Sequence, residues 1–252
     1  MEQILGIDWI YWLAPFVFLG AGTVKGAIGI GLPTTVISIL SQFVDPRIAI
    51  ALGVMPMLLS NVWQMYREGN GAATIRRFWP FGATLFCCLF LSSLFAADFE
   101  PTTLMLVTGI SIVIFAGTSL IKLPPPLPPK WEIPAMIAAG AAGGLMGGLT
   151  GLWSPPLVIL LLALRLEKTD YIRAFGFLLV IGAIPLLGGY VVNGLMTQEL
   201  FVISMIMVVP TLMGFAIGEK VRGKMDTGRY QKAVLVFFLL MGLNLVRKVW
   251  FG

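Results

Sequence analysis

Lys25 is the residue whose setting points most directly to chemistry. It lies in Gly22-Thr-Val-Lys-Gly26, inside an apolar run and just before a glycine-rich stretch, Gly26-Ala-Ile-Gly-Ile-Gly-Leu-Pro33. An ionisable side chain within a membrane segment is costly, and such residues usually serve function. Snorkelling to the nearer interface is the competing reading, but a flexible, backbone-exposing break beside the amine favours a polar cavity. An ammonium there would hold an anion. A second break, Gly147-Gly-Leu-Thr-Gly-Leu-Trp-Ser-Pro-Pro156, has the same character. Gly29, Gly31 and Gly151 would let bare backbone approach a ligand. Thr34, Thr35 and Ser154 would cap the helices that follow or donate hydroxyls. Trp153 offers an indole N–H or simply bulk. Asn61 and Gln64, three apart on one helix face, would line the cavity or tie helices together. Arg173 is read as an interfacial anchor paired with Asp170 or Glu167, or as a second cation for the ligand.

The elements that must position these residues are membrane helices. The 252 residues are 58% apolar and 12% charged, against about 25% charged in an average soluble domain. Eight apolar blocks cover 9–43, 47–66, 78–97, 102–121, 133–165, 171–192, 199–217 and 229–250. A crossing helix needs about 20 residues, so 9–43 and 133–165 are too long for one. Proline ends a helix and suits the first turn of the next. Each long block is therefore expected to split into a full helix and a short one, at 33–43 and 155–165. The expectation is about ten membrane elements, two of them short broken half-helices whose N-termini lie near mid-depth. A helix N-terminus presents unpaired N–H groups and a partial positive charge, and such ends bind anions.

The two breaks are related. A shift of 122 residues places Gly22 on Gly144, Gly26 on Gly148, Gly29 on Gly151 and Pro33 on Pro155. Residues 1–121 and 133–252 thus read as two transmembrane repeats, joined by a Pro-rich linker over 122–132 expected to be an extended polyproline spacer. Basic loops are expected inside the cell. Arg67, Arg76 and Arg77 mark the 67–77 loop, Lys122 and Lys130 the linker, and Lys220, Arg222, Lys224, Arg229 and Lys232 the 218–232 loop. Asp98, Glu100 and Glu199 mark the opposite side. This places the repeats in opposite orientations, as in many secondary transporters. Arg247 and Lys248 fall on the wrong side of that scheme.

Several function classes drop out. There is no histidine, and the two cysteines, Cys87 and Cys88, are adjacent in an apolar run, read as small buried apolar residues. The 12 carboxylates lie in loops or near block ends. No metal set, catalytic group or cofactor motif is visible. The formal charge of +5 is spread between apolar runs, with no dense basic block for nucleic acid. Glu2 and Asp8, with no Lys or Arg before Lys25, do not make a signal-peptide n-region, so the first run is expected to stay in the mature chain.

The runs Gly20-Ala-Gly-Thr-Val-Lys-Gly-Ala-Ile-Gly-Ile-Gly-Leu-Pro33 and Gly143-Gly-Leu-Met-Gly-Gly-Leu-Thr-Gly-Leu-Trp-Ser-Pro-Pro156 resemble the two signatures of the TauE/SafE sulfite exporter family, and the resemblance extends over nearly the whole chain. It implies movement of sulfite, sulfonates or other small organic anions across the cytoplasmic (inner cell) membrane. Trp153 stands where the resemblance implies a glycine, which would narrow the cavity on one side. The sequence-based expectation is an all-α polytopic membrane protein with two inverted-topology repeats. It would be a secondary transporter working by alternating access, with Lys25 and the two short-helix N-termini forming the site. The partners expected are a small anionic substrate and the lipid bilayer; proton coupling, carried on the substrate or on Lys25, and a homo-oligomer are compatible with it. An anion channel is the alternative, and a membrane-embedded enzyme a weaker one.

Overall fold

The computed structural model describes residues 8–68, 71–120, 124–222 and 227–251. Glu2, Lys122, Lys224 and the first residues of the expected linker lie outside them. Ten α-helices make up the described chain, with no strand among the described residues: α1 (Asp8–Ile28), α2 (Leu32–Leu40), α3 (Pro46–Glu68), α4 (Gly71–Leu94), α5 (Pro101–Leu120), α6 (Glu132–Thr150), α7 (Ser154–Ala163), α8 (Lys168–Val192), α9 (Gln198–Arg222) and α10 (Thr227–Phe251). A 3₁₀ turn over Pro129–Trp131 precedes α6. In a bilayer every backbone polar group must be satisfied within the chain, which is why so apolar a sequence resolves into helices.

Seven described stretches are long and apolar enough to cross a membrane. They lie in α3, α4, α5, α6, α8, α9 and α10, while α7 is an apolar helix too short to cross. The chain is therefore a multi-pass membrane protein.

α2 spans 9 residues and α7 spans 10, rising about 14–15 Å at 1.5 Å per residue. Each follows a glycine with left-handed backbone: Gly31 at φ 100° directly before α2, and Gly151 at φ 69° at the end of α6. That conformation costs a side-chain-bearing residue roughly 1–2 kcal/mol, so these glycines set where one helix stops and the next turns away.

The packing follows a pattern. α1 packs along α9, and α6 packs along α4. α3 meets both α8 and α9, α4 meets α8, and α5 meets α10. Small residues permit the closest approaches. A Cβ on Gly22 would meet Thr211 O and Phe215 N of α9, and one on Gly144 would lie 2.8 Å from Leu89 N and 2.9 Å from Leu85 O of α4.

Hydrogen bonds fix which loops share an end of the bundle. At one end Arg47 Nη1 donates to Ala97 O (3.2 Å). Asn193 Nδ2 donates to Ser93 O (2.9 Å) and Leu94 O (2.6 Å), and Lys248 Nζ to Gln42 O (2.6 Å). At the other, Arg77 pairs with Glu132 at 2.9 Å. There Leu127 N also donates to Ala163 O (2.9 Å) and Arg165 Nη2 to Pro124 O (2.7 Å). The Pro-rich segment is extended at Pro128 (φ −62°, ψ 141°) but is tied to the end of α7 instead of swinging free. Cys87 corrects an expectation: it is exposed on the outside of α4, where the surrounding solvent is lipid.

Candidate functional site

The first break delivers Lys25 to the interior. α1 lies against α9, which turns the amine toward α3, and Lys25 is 2% exposed. Its Nζ donates to Ser60 Oγ (2.9 Å) and to Asn61 Oδ1. Both partners are neutral, and no described carboxylate lies within ion-pair distance of it. Taking a charge out of water without an opposite charge is expensive. An arrangement with two dipoles and no anion is electrostatically incomplete, and an anionic ligand would complete it.

Asn61 is fully buried and its Nδ2 has no hydrogen-bond partner among the described residues. Gln64, one turn further along α3, is buried with Oε1 likewise unpartnered, and its side chain lies against Gly176 of α8. Six residues along α8, Gly182 makes room for the indole of Trp153: a Cβ there would lie 2.5 Å from Trp153 Nε1. Trp153 is 1% exposed, and its Nε1 also has no partner. Lys25 and Asn61 are in contact, Gln64 lies one turn further along α3, and Trp153 is seated separately against Gly182 of α8. Buried polar atoms are nearly always satisfied; Asn61 Nδ2, Gln64 Oε1 and Trp153 Nε1 are exceptions among the described residues, as are Ser41 Oγ, Thr108 Oγ1 and the Tyr190 hydroxyl elsewhere in the bundle.

The short helices add their starts. Gly31 packs against Phe238, about halfway along α10. Trp153, just before α7, abuts Gly182, about halfway along α8. Gly151 lies against Ile37 of α2 and Ile50 of α3, so the second break touches the first short helix.

Capping does not account for the hydroxyls. Neither short helix has a side-chain cap; the N-cap residues are Gly31 and Trp153. Thr35 Oγ1 donates back to Gly31 O (2.7 Å). Thr34 Oγ1 is buried without a partner, and Ser154 is buried at the first position of α7. The two helix starts are not equivalent donors. Proline has no N–H, so Pro155 and Pro156 strip two positions from the first turn of α7, while Pro33 strips one from α2.

Gly29 and Arg173 make other contacts. Gly29 faces Arg222 of α9, whose Nη2 lies 3.6 Å from where a Cβ would be. Arg173 is about one-third exposed and pairs with Asp170 at 3.6 Å, the geometry of an anchor at the bundle end. Ser60 and Arg222 were not singled out by sequence. A serine within an apolar helix reads as a packing residue, and Arg222 reads as one more charge in a basic loop.

A family model described as sulfite exporter TauE/SafE matches residues 14–245. The chain belongs to that family. No curated protein and no solved structure matches it. The match spans both breaks, so the two signature runs, Lys25 and Trp153 all lie inside the matched region. The family is one of membrane transporters.

Proposed function

We propose that the chain is a secondary transporter moving a small anion, of the sulfite, sulfonate or related organic class, across the cytoplasmic membrane by alternating access. The observation that carries this reading is Lys25: a buried amine met by Ser60 and Asn61 and by no described carboxylate. A sulfonate or sulfite group would supply the missing charge, and Asn61 Nδ2 and Trp153 Nε1 would supply donors for its oxygens. The starts of α2 and α7 would add their partial positive charge.

The architecture supports two inverted repeats, 1–121 and 133–252 with the 122–132 linker between. Number the helices of each half from first to fifth. The first helix of either half then packs on the fourth of the other, α1 with α9 and α6 with α4. The third helices meet each other, as do the fifth. That pairing is what a pseudo-two-fold relation would produce, with substrate at the repeat interface. Arg77, Lys130 and Arg222 would face the cytoplasm by the positive-inside tendency. No described carboxylate is placed to relay a proton at this site, so any coupled proton would travel on the substrate or on Lys25.

An open channel needs a continuous wet path. Lys25, Asn61 and Trp153 are each at most 2% exposed, which speaks for a carrier in an occluded state. The test is anion flux into proteoliposomes with wild type and Lys25→Met, which keeps the side chain's length. Saturable flux lost in the variant, with a folded protein by size exclusion, is the expected result. Unchanged flux in Lys25→Met overturns the site.

A further inference from the structure

The corner where the end of α2 meets α10 carries a polar cluster that transport at Lys25 does not use. Asn244 Nδ2 donates to Gln42 Oε1 (2.7 Å) and Arg247 Nε donates to Asn244 Oδ1 (3.1 Å). Lys248 Nζ donates to Gln42 O (2.6 Å), and Gln42 Nε2 to Ser38 O (3.1 Å). Every acceptor in this chain is neutral. Among the described residues no carboxylate pairs with Arg247 or Lys248, and Arg247 spends only Nε on it. The cluster borders an open groove of about 750 Å³ whose apolar lining includes Ile39, Phe237 and Met241. Two uncompensated cations thus stand over a greasy pocket at the end of a membrane helix.

The location sharpens the point. Lys248 is bonded to Gln42, and this end of the bundle also carries Asp98, Glu100 and Glu199. In the orientation proposed above, on which this inference rests, basic residues that only set topology belong at the opposite end. Arg247 and Lys248 therefore need another reason to be here, and the apolar wall beneath them rules against a purely hydrated ion. We propose that this corner binds an anionic phospholipid, with its phosphate between Arg247 and Lys248 and an acyl chain along Ile39, Phe237 and Met241. Two adjacent cations attract a phosphate headgroup at short range whichever leaflet carries it, and an arginine fork matches phosphate oxygens.

Native mass spectrometry of the detergent-purified protein tests this. The protein is titrated with phosphatidylglycerol or phosphatidylcholine, with glycerol phosphate as the soluble competitor. Wild type should retain phosphatidylglycerol about tenfold more tightly than phosphatidylcholine. The Arg247→Gln/Lys248→Gln double variant should lose that preference, while Arg76→Gln at the opposite end keeps it. Equal preference in wild type and double variant overturns the proposal. Displacement of the lipid by millimolar glycerol phosphate also overturns it, since the site would then take free oxyanions. Should the double variant not fold, the wild-type titration decides alone: no headgroup preference contradicts the proposal.

Discussion

Around the first short helix the chain places a cation, and around the second an indole, and each stands where the other half has glycine. The shift that aligns the breaks sets Lys25 on Gly147 and Gly31 on Trp153. Gly147 has no side chain because Trp153 occupies its space: a Cβ there would lie 2.9 Å from Trp153 Cβ. Gly31 in turn packs beside Phe238. Each half thus supplies one large functional side chain to the interior, from a different position. The two halves share a backbone plan for turning a helix back, and under the proposed function they would divide the recognition chemistry: charge from the first, a neutral N–H and a wall from the second. The difference in proline count runs the same way, since α2 keeps more free N–H groups than α7.

The shared part is the most sensitive to damage. Gly22→Leu and Gly144→Leu, related positions on α1 and α6, would each drive a side chain into the backbone of α9 or α4. Both should abolish folded protein or cost more than about 4 kcal/mol, read as loss of the monodisperse peak in detergent. A benign result in one alone breaks the equivalence of the two helix contacts.

The divided part comes next. Lys25→Met should cut flux by about 100-fold or more, the consequence of removing a charge-assisted contact worth roughly 1.5–3 kcal/mol together with the field that draws the anion in. Trp153→Phe keeps most of the wall and removes one donor, so flux should fall by roughly tenfold with little change in thermal stability. If Trp153→Phe proves as damaging as Lys25→Met, the charge is not what separates the halves. The smallest effect is expected at Arg173→Gln. Its ion pair is partly exposed and worth at most about 1 kcal/mol, so flux should stay within about twofold; a loss comparable to Lys25→Met would move Arg173 into the site.

Much of the fold was legible because membrane helices write themselves in length and composition. The short helices expected at 33–43 and 155–165 occupy Leu32–Leu40 and Ser154–Ala163, since proline and left-handed glycine are local signals. Gly140, Gly144 and Gly148, spaced four apart on α6, all face α4. What sequence could not show was tertiary. Ser60 matters only because α1 rotates Lys25 onto α3, and Trp153 finds its place through Gly182, in a different helix. Capping by Thr34, Thr35 or Ser154 was a sound local reading, but the backbone turns ahead of α2 and α7 leave no side chain in capping geometry.

The central claim is that Lys25 holds an anion, and the most direct measurement is thermal stability of the purified protein against sulfite, thiosulfate, small sulfonates and small carboxylates. A ligand bound only by the native state raises stability by mass action, about 2.7 kcal/mol at a hundred times its Kd. One anion class should stabilise wild type and leave Lys25→Met unmoved. Equal stabilisation of both proteins, or stabilisation by cations alone, would contradict the account.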